Sequence, residues 1–494
     1  MNMLTRDVTR ARIRLEQATP KDDRYRQGFH LMPPMGWLNN PCGFCQWGDI
    51  YHAFFQYSPF SVRPGAKFWG HATSKDLLTW TFVGTAVMPD QPFDCHGTYS
   101  GSAFVEDGVM TLAYTGNVLH EDARASFDYI NDGRDSNTVV CHSVDGMDFG
   151  PKTVVLATGD YPADVTRHVR DPKIVRQGSH LLMLQGARHK RDFGEILVYE
   201  SGTAGGPETD DWRLVNVIAP SAPFGYMWEC PDYFELISDE DGDTHKVLSV
   251  SVRGLKGPEW DRRNVCQSGY FEFHGDLWGK CAISEGNYRL WDGGFDFYAP
   301  QILTAEDGRR LLVAWMGVPG CDAYWNKTVD AGWQNCLTLP RELSWGEDRR
   351  VLQVPCKEIE QLRRNGEIEA DYLSRAGVRC FDLEVTGIRD NDCVVTIARE
   401  LQLAFSDGRF EMRFADDSAD AIGAGRGLRW EPAKGLRSLR VVGDASSVEV
   451  FVNDGELAFA TRYYPEAYSI EVDAPGARIG LWDLATKGET YVAR

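Results

Sequence analysis

The sequence contains no long apolar stretch, and it has too little positive charge to balance its acidic residues. Because no run of about 18 apolar residues occurs, we expect no membrane-spanning helix. The 494 residues include 72 Asp and Glu but only 52 Lys and Arg, which gives a net charge of −20. Phosphate groups repel such a chain, so we expect neither nucleic acid nor a membrane as a partner. A neutral sugar is a compatible ligand.

Signals for secretion and for metal binding are also missing. Residues 1–20 have no apolar core of the kind that signal peptides need, so we expect a cytoplasmic protein. The 12 cysteines are then expected to be reduced thiols. Cys42 and Cys45 have metal or redox spacing, but no second Cys or His pair follows at ligand spacing. We therefore predict no metal site and no cofactor, and nothing in the sequence indicates an oligomeric state.

Helix signals are concentrated at the N-terminus. Leu4, Val8, Ala11 and Leu15 form an apolar stripe at helical spacing, which predicts one helix there. Farther along, short runs rich in Val, Tyr, Phe and Trp alternate with turns, and Asp-Gly pairs recur between them. This pattern predicts an all-β protein.

A faint repeat favours a propeller over a sandwich for the first part of the chain. Ser74-Lys-Asp76 is followed by Trp80, and Ser143-Val-Asp145 is followed by Phe149, at a spacing of 69 residues. Units of that size are typical of four-stranded propeller blades.

Residues 357–364 (KEIEQLRR) predict a short helix, beyond which the strand pattern resumes as a second all-β domain, read as a sandwich. We predict four regions: an N-terminal helix and lead-in (1–29), the propeller (30–356), a linker helix (357–370) and the β-sandwich (371–494).

Three segments place polar residues beside a proline in apolar surroundings: residues 35–43, 169–173 and 227–232. Proline ends the hydrogen-bonded ladder of a strand and fixes the exit of the chain, so each segment can aim a side chain. In a propeller, the ends of the inner strands converge on the central channel. The alternative is structural: Arg170 and Asp171 could form an ion pair, and Glu229 could be a satisfied turn residue.

Together these segments resemble the motifs of glycoside hydrolase family 32, the invertases, inulinases, levanases and fructosyltransferases. The family's Trp-Met-Asn-Asp-Pro-Asn-Gly is similar to Trp37–Gly43, its Arg-Asp-Pro to Arg170–Pro172, and its Glu-Cys to Glu229-Cys230. Further similar segments are Phe55–Tyr57, Trp69–Asp76, Tyr99–Ser102, Asp296–Gln301, Leu337–Leu343 and Ser447–Glu456. The resemblance runs from about His30 to the C-terminus.

The resemblance implies a five-bladed β-propeller followed by a C-terminal β-sandwich. It implies a β-fructofuranosidase that releases terminal fructosyl units from sucrose or fructo-oligosaccharides with retention, which requires two carboxyl groups. By motif, Glu229 is the acid/base, with a pKa expected above that of an ordinary Glu, and Asp171 is the transition-state stabiliser. The fructose-binding residues implied are Asn39, Gln56, Trp69, Tyr99, Ser100 and Arg170.

Two positions depart from the family pattern. Asn40 occupies the position of the nucleophilic aspartate, and Pro64 stands where many relatives have a Trp beside the leaving group. A neutral amide is a poor nucleophile and cannot stabilise a cationic transition state, so we expect binding with little turnover. Asn40 is either an engineered change or a mark of a natural sugar-binding pseudoenzyme. We favour engineering, because Arg170, Asp171 and Glu229 are retained.

Two further alternatives stay open. A fructosyltransferase of the same family would pass the fructosyl group to an acceptor sugar instead of water. A five-bladed propeller acting on arabinans is a more distant alternative, disfavoured by the Leu38–Pro41 and Glu229-Cys230 contexts.

Overall fold

The computed structural model describes residues 3–16, 24–120, 130–131, 133–202, 211–238, 242–257, 263–283, 285–321, 323–486 and 490–491. The described residues form an all-β structure, a five-bladed β-propeller followed by a sandwich of strands. One α-helix, α1 (Met3–Glu16), precedes the propeller, as its apolar stripe predicts. The side chain of Glu16 accepts a hydrogen bond from Thr85 Oγ1 at 2.7 Å, which joins α1 to the first blade.

Consecutive antiparallel strands form each blade because tight turns return the chain at once. Between the first two strands of the second blade, Asp107 and Gly108 both have positive φ (50° and 73°), as a two-residue hairpin turn requires. The propeller strands are β1 (Gly36–Trp47), β2 (Ile50–Ser58), β3 (Phe68–Ser74), β4 (Thr81–Val87); β5 (Thr98–Glu106), β6 (Val109–Leu119), β7 (Arg134–Ser143), β8 (Thr153–Leu156); β9 (Val165–Gln177), β10 (His180–His189), β11 (Gly194–Ser201), β12 (Trp212–Ile218); β13 (Met227–Ile237), β14 (Thr244–Arg253), β15 (Cys266–Gly275), β16 (Cys281–Ile283), β17 (Arg289–Leu290); and β18 (Tyr298–Thr304), β19 (Arg310–Trp315), β20 (Trp333–Gln334), β21 (Arg341–Gly346), β22 (Arg350–Pro355).

The inner strands close into a ring. β1 contacts β5, β5 contacts β9, β9 contacts β13, β13 contacts β18, and β18 returns to β1. The first blade also receives β20, which pairs in parallel with β1. The ring brings segments that are distant in sequence to one central channel.

The C-terminal strands form a sandwich whose two layers share one long strand. The first half of β32 pairs with β25, its second half pairs with β24, and β23 follows it along both halves. Val395, Leu403, Val441 and Val450, from both layers, meet in one apolar core. The strands are β23 (Arg363–Ala376), β24 (Phe381–Thr386), β25 (Val394–Ile397), β26 (Leu401–Ser406), β27 (Arg409–Phe414), β28 (Leu428–Pro432), β29 (Ser438–Asp444), β30 (Ser447–Val452), β31 (Leu457–Arg462) and β32 (Ser469–Leu484); β33 (Thr490–Tyr491) pairs with β4 in the first blade.

The helix predicted over 357–364 is shorter and tighter than expected. A 3₁₀ helix spans Lys357–Leu362 and buries Ile359 and Leu362, whereas Arg363 already pairs with Leu484 as the start of β23. Most of the region predicted as a linker helix is therefore strand, and the domain boundaries stay a prediction. The other 3₁₀ turns are Thr158–Asp160, Glu285–Asn287, Lys327–Ala331, Glu347–Arg349 and Asn453–Gly455. Within the described ranges, no helix has the length and apolar character needed to cross a membrane.

Propeller and sandwich meet across a buried set of charged groups, which we call the interface cluster: His30, Asp292, Arg341, Asp444 and Glu449. Arg341 Nη2 donates to Asp292 at 2.8 Å and to Glu449 at 2.7 Å. His30 reaches Asp444 at 2.8 Å through Nδ1 and Glu449 at 3.1 Å through Nε2. Since each charged group has an opposite partner, this network can be buried without an orphaned charge.

Candidate active site

All five inner strands are irregular at one level of the channel. A bulge shifts the register and turns a side chain away from the alternation of a regular strand. The shifts lie between Leu38 and Gly43 in β1, Tyr99 and Gly101 in β5, Arg170 and Lys173 in β9, Glu229 and Asp232 in β13, and Tyr298 and Gln301 in β18.

Proline follows the irregular position in four of these strands, at Pro41, Pro172, Pro231 and Pro300. The residues before the last three, Asp171, Cys230 and Ala299, have φ values of 61°, 49° and 53°. Such left-handed backbone is uncommon for residues other than glycine and concentrates at functional sites. The fourth proline segment, in β18, was not among the three singled out from proline spacing.

The predicted residues meet at one open pocket at this level, with an empty volume of ≈ 1670 Å³ that includes solvent at its mouth. Asn40, Asp171 and Glu229 line it from three different blades. Of the predicted fructose-binding residues, those on its wall are Asn39, Gln56, Tyr99, Ser100 and Arg170.

Trp69, expected among the fructose-binding residues, lies behind the pocket wall instead. Its side chain is fully buried, and Nε1 donates to the carbonyl oxygen of Tyr99 at 3.0 Å. The physical reason is the alternation of side chains along β3, which turns Trp69 towards the core between the first two blades. Trp69 therefore supports Tyr99 rather than facing the pocket.

The amide of Asn40 fits its surroundings without distortion. Its Nδ2 donates to Ser100 Oγ at 3.0 Å and lies 3.7 Å from Cys230 Sγ, while Asn39 Nδ2 donates to its Oδ1 at 3.3 Å. A serine hydroxyl can donate or accept, so Ser100 can serve an amide or a carboxylate at position 40.

Asp171 is held by hydrogen bonds from both its side chain and its backbone. Its Oδ2 accepts from the Cys230 N–H at 2.9 Å, and its own N–H donates to Thr115 Oγ1 at 2.9 Å. Burial raises the pKa of Asp171 to about 6, against the opposing charge of Arg170 and with help from Glu229.

Glu229 faces more positive charge than its motif suggests. Tyr298 OH donates to its Oε2 at 2.7 Å, and Arg170 and Arg253 lie 3.4 and 3.5 Å from its Oε1. Burial raises the pKa of Glu229, but Arg253, His168 and Arg170 outweigh burial and hold it well below the ordinary value. The expectation of a raised pKa is wrong, because Arg253 reaches the site from β14.

Several residues of the pocket were not predicted from the sequence. Lys67 Nζ lies 3.4 Å from the centre of the Trp37 ring, and Arg63 lies over Trp325 at 5.7 Å. The four cationic side chains of the lining outnumber its two carboxylates, whereas the whole chain carries a net charge of −20. The cations are Arg63, Lys67, Arg170 and Arg253, and the carboxylates are Asp171 and Glu229.

Models of one family match most of the chain. The N-terminal domain of glycosyl hydrolases family 32 matches residues 30–355, and the C-terminal domain of that family matches residues 406–479. The chain belongs to glycoside hydrolase family 32. The resemblance inferred from the motifs is thereby confirmed.

Relatives within family 32 cover nearly the whole chain. A sucrose-6-phosphate hydrolase of Bacillus subtilis is 34% identical over 96% of this chain and 98% of its own length. A raffinose invertase of Escherichia coli is 36% identical over 89% of this chain and 90% of its own. The structure of sucrose-6-phosphate hydrolase from Lactobacillus gasseri superposes with a TM-score of 0.84 at 25% identity, covering 97% of this chain and 96% of that one. The chain is thus similar to fructosidases of this family over its full architecture.

Proposed function

We propose that this chain has the scaffold of a retaining β-fructosidase that takes sucrose or a fructo-oligosaccharide. The observation that carries the proposal is that Asn40, Asp171 and Glu229 line one pocket at the level where the inner strands of a family 32 propeller bulge. The proposed site needs no cofactor, because two carboxyl groups and water suffice for this reaction.

In the proposed mechanism, a carboxylate at position 40 attacks the anomeric carbon of fructose. Glu229 protonates the leaving oxygen and then deprotonates the water that releases fructose. Asp171 accepts hydrogen bonds from fructose hydroxyls and stabilises the positive charge of the transition state, while Tyr298 fixes the orientation of Glu229.

Asn40 impairs this reaction in two ways. The amide removes the nucleophile and the negative charge next to the anomeric carbon. It also removes a like charge that would raise the pKa of Glu229, which leaves Arg253 and Arg170 free to keep Glu229 ionised. We therefore propose that the Asn40 chain binds its sugar and turns it over very slowly. A natural sugar-binding pseudoenzyme and a fructosyltransferase stay as alternatives.

The Asn40→Asp variant tests the proposal. We expect fructose release from sucrose, 1-kestose, inulin or levan to rise by on the order of 10³-fold or more in kcat. Asn39→Asp is the matched control, since it makes the same chemical change one residue away and should restore nothing. Binding of sugar by Asn40→Asp without fructose release above the parent would refute the enzyme and favour a binding protein.

A phosphorylated sucrose is a second candidate substrate. Relatives that match nearly the full chain are named sucrose-6-phosphate hydrolases. Arg63 and Lys67, the two basic side chains of the pocket that contact aromatic rings and not Glu229, favour the same substrate, because positive charge attracts anions. A higher kcat/KM of Asn40→Asp for sucrose 6-phosphate than for sucrose would support it; equal values would leave neutral sugars as the substrate. A phosphorylated substrate also accords with the proposed cytoplasmic location.

A further inference from the structure

Lys67 has a buried ammonium group that lacks a hydrogen-bond partner among the described residues. Its Nζ has less than 1 Å² of exposed surface and makes no hydrogen bond within the part of the chain that the structure describes. Its nearest aromatic support is the face of Trp37, 3.4 Å from the ring centre. Both residues line the pocket that contains Asp171 and Glu229.

Other lysines with little exposure in the propeller are paired. Lys173 Nζ lies 2.9 Å from Asp232 Oδ2 in the channel below the pocket, and Lys152 Nζ lies 2.9 Å from Asp94 Oδ2 in the second blade. An ammonium group removed from water without a counter-ion is costly, and a cation–π contact offsets only part of that cost. Of these three lysines, Lys67 is the one with no carboxylate at ion-pair distance among the described residues.

The backbone fixes Lys67 at the pocket. Its carbonyl oxygen accepts from both the N–H and the Oγ1 of Thr98, each at 3.0 Å, so the residue is anchored to the second blade. Four residues earlier, Arg63 lies over Trp325, which is 43% exposed at the pocket mouth. Two cation–aromatic pairs thus flank the entrance, one buried and one open.

Resting on the β-fructosidase function proposed above, we propose that Lys67 binds the phosphoryl group of a phosphorylated sugar. Nζ is enclosed beside the Trp37 ring, so the Lys67 side chain turns towards the pocket when its N–H groups donate to phosphoryl oxygens. Arg63 contributes positive charge at the mouth. Lys67 is in this sense the residue that distinguishes an anionic sugar from a neutral one.

Binding should be linked to protonation of Lys67. Burial lowers the pKa of Lys67 to about 7, so much of it is neutral in the free chain above that pH. A phosphoryl group beside the amine favours the charged form, and binding at about pH 8 should take up close to one proton. Neutral sucrose should take up none at Lys67.

Calorimetric titration of the Asn40 chain tests the inference, because slow turnover leaves the ligand intact. At about pH 8, in two buffers with different ionisation enthalpies, we expect sucrose 6-phosphate to bind at least ~10-fold tighter than sucrose and to take up a proton.

Lys67→Met should remove both the tighter binding and the proton uptake while sucrose still binds, which also shows that the variant folds. Lys67→Gln is the second variant should Lys67→Met not fold. Lys75→Met is the matched control, since that ammonium is exposed and paired with Asp49 at 2.9 Å, and it should change neither. Equal affinity for the two sugars, or an advantage that survives loss of Lys67, overturns the inference.

These outcomes are separable from failure of the proposed function. Fructose release by Asn40→Asp without a phosphate advantage refutes the role of Lys67 alone. A phosphate advantage that depends on Lys67, with no fructose release by Asn40→Asp, refutes the hydrolase and leaves a receptor for phosphorylated sugars.

Discussion

The interface cluster and the pocket both bury charged groups, but only the cluster gives each of them an oppositely charged partner at hydrogen-bond distance. In the interface cluster, Arg341 meets two carboxylates at 2.7 and 2.8 Å, and His30 lies between Asp444 and Glu449. Arg341, Asp444 and Glu449 are completely buried. Charges arranged in this way satisfy one another and lock propeller and sandwich together.

The pocket leaves its charged groups incompletely satisfied. Glu229 meets its two arginines only at 3.4 and 3.5 Å, and Lys67 has no hydrogen-bond partner among the described residues. Asp171 and Cys230 also carry left-handed backbone. Buried polar groups without full partners are rare and call for an explanation such as a ligand. Charged groups in the pocket are therefore left able to bind a ligand, whereas those of the interface cluster bind one another and stabilise the fold.

Glu229→Gln in the Asn40→Asp background gives the largest expected effect. Loss of the acid/base should lower kcat by about 10²- to 10⁴-fold, most strongly for poor leaving groups, because the leaving oxygen then departs unprotonated. The unfolding midpoint in urea should fall less than in Arg341→Met, because Arg170 and Arg253 keep some access to solvent when they lose Glu229. A variant with unchanged turnover would remove Glu229 from its proposed role, and a variant that unfolds easily would make it a structural residue.

Arg341→Met should lower the stability of the fold and leave sugar binding unchanged. It leaves Glu449 and Asp292 buried without their cation, and loss of one partner from a buried ion pair costs about 3–5 kcal/mol in free energy of unfolding. Urea denaturation followed by tryptophan fluorescence measures this loss. The folded fraction should bind sucrose as the parent does; weaker binding in folded protein would mean that the two regions are coupled.

His30→Gln tests the interface cluster by pH and should have the smallest effect. Although burial opposes it, hydrogen bonds to Asp444 and Glu449 raise the pKa of His30 to about 8 from 6.5. The folded pKa is the higher one, so the stabilisation is complete below pH 6.5 and is lost as pH rises through 8. The loss is about 2 kcal/mol.

Urea midpoints at about pH 6 and about pH 9 measure this contribution, taken as the difference between parent and variant. Glutamine retains a donor but carries no charge, so its midpoint should change less across that range. Equal pH dependence in both proteins would show that His30 is not the titrating group.

The fold was predictable where local chemistry repeats. The spacing between Ser74-Asp76 and Ser143-Asp145 reflects equivalent turns after β3 and β7: Asp76 Oδ1 accepts from the N–H of Thr79 at 2.6 Å, and Asp145 Oδ1 accepts from that of Asp148 at 2.8 Å. The helix over 357–364 was mispredicted in length because pairing with β32 overrides local propensity from Arg363 onward.

The site was predictable only where a motif is contiguous in sequence. Asn40, Asp171 and Glu229 each stand next to a proline segment, but Arg253 and Lys67 have no such mark. Arg253 reaches Glu229 from the neighbouring strand of the same blade, and Lys67 lies over Trp37 within the first blade. No spacing in the sequence encodes either contact. Trp69 shows a different limit: its motif identified the residue, but only the strand register decides which way the side chain points.

The peptide bond between Asn40 and Pro41 affects how the protein changes chemically during storage. Asparagine usually converts to aspartate when the backbone nitrogen of the next residue attacks its amide carbon and closes a succinimide ring. Proline has no N–H to lose, so this route is closed at position 40. Stored protein should therefore keep asparagine at position 40, read by fragmentation mass spectrometry that separates it from Asn39, and fructose release that grows with storage would have to originate elsewhere.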